Sequence, residues 1–288
     1  MILITGAAGK TGQAIIQQLR ARNVPIRAIV RNQTQMESLQ QQRMEQTVSQ
    51  IISGDVTSAD DLLKATANIQ TIYHICPNMH PEEVAIGEKL VAAARANRVE
   101  RIVYHSVLHP QTEEMPHHWN KLRVEEVLLK SGIDYTILQP CAYMQNVLAY
   151  RNAIVETEVY RIPYAAKTRI GMVDLEEIAE VAARVLCNST HRGAIYELAN
   201  GEALSQMEVA QVIALQLGRE VTAEAADREQ WALLMRQSGM NEYAISTLRK
   251  MFEYYERYGF WGNGKILEML LGRRPKSFTE WVSTQQWR

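Results

Sequence analysis

The sequence predicts an α/β fold: a doubly wound parallel sheet with a smaller, mostly helical C-terminal lobe. Three observations carry this. Short, wholly apolar runs recur along the first half of the chain, as strands buried on both sheet faces do. Helical patterns separate them, and strands joined through helices pair in parallel by right-handed crossovers. Three glycines, Gly6, Gly9 and Gly12, fall between the first apolar run and the first helical pattern, where a strand must turn sharply into a helix.

Residues 2–4 (ILI) form the first strand, and Ile15, Ile16 and Leu19 lie at helical spacing behind it. The next strands are read at 26–31 (IRAIVR), 51–56 (IISGDV), 71–76 (TIYHIC), 101–106 (RIVYHS) and 135–140 (YTILQP). The clearest helix between them is 83–99. Beyond residue 150 the alternation loosens. Asp174 caps a helix within 169–186, 194–200 reads as one more strand, and a helix within 204–218 opens at Ser205 and closes at Gly218. The division expected is a nucleotide-binding domain over 1–150 to which 176–198 returns, and a smaller lobe over 151–175 and 199–288. The glutamine run 40–42 reads as a polar loop or helix surface.

Composition narrows the function. A hydrophobic share of 47% and a charged share of 22% are ordinary for a globular chain of 288 residues. The net charge of −1 gives no electrostatic footprint for nucleic acid or an anionic membrane. Three scattered cysteines, Cys76, Cys141 and Cys187, suit free thiols in a reducing compartment. No apolar stretch approaches the roughly 20 residues of a membrane span, and the N-terminus has no signal-peptide pattern, so the expectation is a cytoplasmic protein. The partner expected is a small-molecule substrate or a regulatory protein; the oligomeric state is left open.

The glycine turn points to a ligand. Gly6 tolerates the unusual backbone angles of the turn, Gly9 lets the backbone approach a ligand, and Gly12 lets helix pack on strand. The helix N-terminus then offers unpaired N–H groups and a partial positive charge to a pyrophosphate, with Ala8, Lys10 and Thr11 completing the cradle. NAD-selective domains place a carboxylate at the end of the second strand. Here that place holds Arg31, whose fork suits a 2′-phosphate, and Lys10 adds a second cation. NADPH is therefore expected in preference to NADH; the alternative for Arg31 is a solvated strand-end arginine.

The chain resembles the NmrA-like branch of the atypical short-chain dehydrogenases/reductases. The residues that carry the resemblance are TGAAGKTG (5–12), AIVRN (28–32), GDVTSADDL (54–62), HSV (105–107), KLRVEEVLLKSGIDYTILQPCAYMQN (121–146), GMVDLEEIAEVA (171–182) and GRRPKSFTEWV (272–282). The resemblance spans nearly the whole length. It implies a Rossmann domain holding NAD(P) and a small C-terminal lobe closing over the nicotinamide end. It also places Asp55 and Val56 beside the adenine, and Cys76, Pro77 and Asn78 beside a ribose. Asp55 has the alternative role of a helix cap. Ser106 ends the fifth strand and Pro140, Cys141, Ala142 and Tyr143 follow the sixth, positions that border the ligand crevice of open α/β sheets.

Two residues are candidates for chemistry. His117, Lys121, Val124 and Leu128 form one stripe of a helix read within 115–132, and a lysine on such a stripe needs a partner for its charge or a route to the surface. The resemblance gives Lys121 the nicotinamide ribose and assistance to proton transfer. Short-chain dehydrogenases typically carry tyrosine four residues earlier; this chain has His117, read either as an acid near neutral pH or, with His118, as a solvated histidine pair at the helix start. Relatives of this branch include reductases and non-catalytic redox sensors. The expected activity is reduction of a small carbonyl, quinone or conjugated compound by NADPH, the rival a sensor of the NADPH/NADP⁺ ratio. A sugar-nucleotide epimerase is disfavoured by the absent tyrosine. The tail aromatics are read as core of the smaller lobe or as a substrate pocket, and the buried cysteines as small hydrophobes.

Overall fold

The computed structural model describes residues 1–41 and 48–287; Gln42, the last of the glutamine run, lies outside them. The first six strands are β1 (Ile2–Ile4), β2 (Ile26–Val30), β3 (Val48–Ser53), β4 (Thr71–His74), β5 (Arg101–His105) and β6 (Asp134–Pro140). The helices between them are α1 (Lys10–Arg20), α2 (Gln33–Gln41), α3 (Ala59–Thr66), α4 (Glu83–Ala96) and α5 (Pro116–Leu129). The remaining strands are β7 (Ala142–Tyr143), β8 (Val159–Ile162), β9 (Arg169–Ile170), β10 (Met172–Val173), β11 (Ala194–Leu198), β12 (Leu204–Ser205) and β13 (Thr222–Ala225). They alternate with α6 (Arg151–Thr157), α7 (Leu175–Cys187), α8 (Gln206–Leu217), α9 (Arg228–Gln237), α10 (Glu242–Tyr258), α11 (Lys265–Leu271) and α12 (Phe278–Ser283).

The central sheet has seven strands in the order β11-β6-β5-β4-β1-β2-β3, and β1 to β6 pair in parallel. The order reverses between β1 and β4, which makes their C-terminal ends the switch point where such sheets bind ligands. Every residue of β1, β2 and β5 is buried, as strands covered on both faces require. The third strand starts three residues earlier than the apolar run suggests, because Val48 is buried ahead of the exposed Ser49 and Gln50.

The chain forms two compact units: residues 1–111, 117–139 and 178–196, and residues 112–116, 140–177 and 197–288. The passage to the second unit falls at Pro140, the last residue of β6, rather than near residue 150. In the second unit β7 pairs with β10, β8 with β13 and β9 with β12. Asp174 accepts from the Glu176 N–H at the start of α7 (3.1 Å), and Ser205 and Glu208 form a capping box on α8, which ends at Gly218 in the left-handed region. Phe252 and Tyr255 of α10 are buried against Tyr164, so tail aromatics form core here. Among the described residues no helix is long and apolar enough to cross a membrane.

In the first unit, buried arginines close helix C-termini. Arg101, at the start of β5, donates to the Asn188, Val185 and Leu186 carbonyls (2.9, 3.0 and 2.7 Å) at the end of α7. Arg27, second in β2, donates to the Ala65 and Ala67 carbonyls (2.8 and 2.7 Å) at the end of α3. Carbonyls at and just beyond a helix end lack intrahelical donors, although Val185 also accepts from the Asn188 N–H at 3.3 Å, and a cation is favoured at the negative end of a helix dipole. Arg101→Met should strip several carbonyls at once. A bond to a charged donor contributes about 1.5–3 kcal/mol, and three are lost together, so a stability loss of at least about 2–3 kcal/mol is expected. An unchanged urea midpoint would refute the capping role.

Candidate functional site

The candidate residues of the first unit gather at the C-terminal edge of its sheet. Gly6 has a φ of +63° and its Cβ would lie 3.0 Å from that of Ile75, so both backbone angle and space demand glycine. A Cβ on Gly12 would overlap the Gly6 carbonyl oxygen and stand 2.7 Å from the Ala7 Cα. Gly9 differs. Its φ of −77° suits any residue, and a Cβ there would meet only the Gly6 oxygen, at 3.3 Å. It is exposed, and no side chain caps the helix it opens. A bare position at an uncapped helix N-terminus fits a phosphate group.

Lys10 is exposed beside Gly9, with Ala8 and Thr11 half-buried around it. Gln13 donates to the Ala8 carbonyl and to the Ser38 hydroxyl, both at 3.0 Å, which ties the turn to α2. Arg31 follows β2 and is exposed; its N–H is held by the Gln35 side chain at 2.8 Å. Asp55, two residues past β3, accepts from the Thr57 N–H (2.8 Å) and hydroxyl (2.9 Å). Those bonds, with the nearby Arg31 guanidinium, hold its carboxyl below the usual carboxylate range. The cap of α3 is Ser58, so Asp55 shapes the preceding turn instead. The Val56 side chain is buried in the core.

Thr5, which the sequence did not single out, ties the switch point together. Its hydroxyl accepts from the Ile75 N–H (2.9 Å) and lies 3.0 Å from both the Ile75 carbonyl and His74 Nδ1. Beyond Ile75, Cys76 is buried, Pro77 half-buried and Asn78 exposed. Burial pushes the Cys76 thiol well up, with Glu83 adding to the shift, so it stays a thiol.

Lys121 has its charge partner in Glu83. The ammonium is 2.6 Å from Glu83 Oε1, with side chains 17% and 1% exposed, and stands 5.5 Å from the centre of the Tyr104 ring. Tyr104 donates to the same carboxylate oxygen at 3.1 Å. The pair forms because α4 and α5 approach closely: a Cβ on Gly87, one turn after Glu83, would meet Val124 Cγ1 at 2.9 Å. Glu83 was missed because an acidic residue in the first turn of a helix ordinarily reads as a solvated dipole partner.

The histidines depart from expectation. His117 is buried, its Nδ1 has no hydrogen-bond partner, and burial with His118 and Lys121 nearby lowers its pKa to about 2. It is neutral at physiological pH, which removes the imidazolium that acid catalysis by this residue requires. His74 and His105 are lowered to about 3 and His118 to about 4, each mainly by burial. The Ser106 hydroxyl is engaged by Glu125, a buried carboxylate that also accepts from Gln139 at 2.9 and 3.1 Å. The Ser106 hydroxyl is thus taken up within the protein, as is its N–H, which donates to the Leu138 carbonyl at 2.8 Å.

Pro140 closes β6, and Cys141, Ala142 and Tyr143 lead into the second unit, where β7 carries the last two. Cys141 is buried, its thiol donating to the Gly171 carbonyl at 3.1 Å, and burial raises its pKa to about 12. Neither buried cysteine is a thiolate, which agrees with their reading as small hydrophobes.

Strand order, glycine turn and the basic residue after β2 define a Rossmann-type protein of the dinucleotide-binding kind. The chain belongs to the NmrA-like family, which it matches over residues 1–283. It is 29% identical over 286 residues to quinone oxidoreductase 2 of Escherichia coli (strain K12), covering 98% of both chains. It is 26% identical over 287 residues to an NAD(P)H azoreductase of Xenophilus azovorans, covering 98% of this chain and 96% of that protein. Among solved structures it is similar to the NADPH-dependent quinone oxidoreductase of Escherichia coli complexed with NADPH, with a TM-score of 0.84, 28% identity, and coverage of 98% of this chain and 99% of that one.

The four neutral histidines make stability pH-dependent. Their folded pKa values lie below the ordinary value near 6.5, so below that pH the unfolded chain binds more protons than the folded one. Their contribution is complete above about pH 6.5 and is lost as pH falls towards 4, by about 1.4 kcal/mol per pH unit for each group. The urea midpoint should fall steadily between pH 7 and pH 4.5. A flat midpoint over that range would contradict the burial of these rings as neutral groups.

Proposed function

We propose that the chain is an NADPH-dependent reductase of quinones or similarly conjugated small molecules. The observation that carries the reading is the uncapped N-terminus of α1 over a bare Gly9, with Arg31 rather than a carboxylate after β2. The names of the relatives, a quinone oxidoreductase and an NAD(P)H azoreductase, support a conjugated acceptor.

Bound NADPH supplies a hydride. The residues of this chain supply the rest. The N–H groups at the start of α1 hold the pyrophosphate, and Arg31 with Lys10 grips the 2′-phosphate. Lys121, fixed by Glu83, binds the nicotinamide ribose hydroxyls and holds a proton near the acceptor. A proton reaches the reduced acceptor from Lys121 or from water, since the tyrosine is absent and His117 is neutral. A sensor reading explains the turn equally well, but not a lysine whose ammonium is fixed by a carboxylate only 1% exposed.

Three measurements test this. Gly9→Val puts a branched side chain where the pyrophosphate belongs, and should abolish NADPH binding with circular dichroism unchanged. Arg31→Ala removes a charge-assisted contact of about 1.5–3 kcal/mol, so NADPH affinity should fall tenfold or more and NADH affinity should not. Equal losses would sink the 2′-phosphate assignment. NADPH oxidation over a panel of quinones, azo dyes and enones should exceed background for at least one class; tight NADPH binding without turnover would leave the sensor standing.

A further inference from the structure

We infer that Glu83 is the positioning residue of Lys121: its buried carboxylate fixes where the ammonium stands. This rests on the reductase reading for its consequence in turnover, but the pairing itself is independent of that reading.

Two donors converge on Glu83 Oε1: Lys121 Nζ at 2.6 Å and the Tyr104 hydroxyl at 3.1 Å. The arrangement is lopsided. Glu83 is 1% exposed and held by two donors, whereas the lysine side chain is 17% exposed. The anion is therefore the fixed member and the cation the one with access. A second contact of Lys121, to the His105 carbonyl, is long at 3.5 Å and cannot replace the carboxylate. Gly87 lets α4 lie against Val124 of α5, which brings this pair into contact one turn away.

Every other titratable group around Lys121 is either neutral or engaged. His74 and Cys76 from the β4 end, Tyr104 and His105 from β5, and His117 and His118 on its own helix are all uncharged near neutral pH. Glu125, one turn along α5, is engaged by Ser106 and Gln139. Among the described residues Glu83 is thus the anion that compensates the ammonium.

Glu83→Gln keeps the shape and an acceptor for Tyr104 but removes the charge. Turnover should fall tenfold or more while NADPH affinity changes less than threefold. Glu83→Asp retains the charge but draws it back by one methylene, and should lower turnover less than Glu83→Gln does. It also serves if the Gln variant does not fold: full turnover in Glu83→Asp would overturn the positioning role. A second readout needs no turnover. Acetylation of Lys121 by acetic anhydride at one fixed pH, followed by mass spectrometry, should run at least threefold faster in Glu83→Gln than in the unmodified protein, because the amine is no longer held against a buried carboxylate. Unchanged labelling and unchanged turnover in Glu83→Gln would overturn the proposal. If the unmodified protein reduces no acceptor at all, the reductase reading falls and the labelling alone decides on Glu83.

Discussion

A parallel sheet obliges every crossover helix to run back against the strands, and this constraint sorts the helix ends. The N-termini of those helices come to the C-terminal edge of the sheet, the C-termini to the opposite edge. At the opposite edge Arg27 and Arg101 rise from β2 and β5 to close α3 and α7. Arg95 does the same beyond α5, donating to the Ser131 and Lys130 carbonyls. At the C-terminal edge of the sheet Ser58 caps α3, whereas α1 and α4 open without a side-chain cap. Of these two, α1 starts at the bare, exposed Gly9, which leaves its first N–H groups open to an anion.

The same packing sets the electrostatics around Lys121. Close approach of α4 to α5 over Gly87 expels water from a region holding four imidazoles, two carboxylates and a phenol. Desolvation penalises charge in each, so the imidazoles lose theirs, while the ammonium stands against a carboxylate. The site is chemically simpler than its composition: several groups able to titrate in water are silent here, and one ion pair remains.

This explains which parts of the site could be read from the sequence. The glycine turn was legible because its demands are local: Gly6 and Gly12 are fixed by contacts with residues close in the chain or at the end of the next strand of the switch point. Arg31 was legible because it immediately follows a strand that five apolar-flanked residues define. Glu83 was not, because its partner lies 38 residues away and the meaning of an acidic first-turn residue depends on what covers it. Spacing put His117 where an acid belongs, but spacing carries no information about burial, and burial decides whether imidazole is charged. Arg101 likewise looks like a strand-end surface charge until the end of α7, over 80 residues on, is seen above it.

The scarcity of proton donors bears on the acceptor. On the reductase reading, hydride arriving at a simple ketone would create an alkoxide, whose basicity approaches that of hydroxide, with a conjugate-acid pKa near 15.7 for water. Such a centre needs an acid in place as the hydride moves, the role the missing tyrosine would fill. Hydride arriving at a quinone instead creates a phenolate-like anion, whose conjugate acid has a pKa of about 10, that of a tyrosine side chain. It waits for its proton without a positioned acid, needing only a nearby cation. A fixed ammonium beside neutral imidazoles is an environment of that kind, so the chemistry left open by the buried histidines and the lone Lys121–Glu83 pair selects acceptors that spread negative charge over a conjugated system.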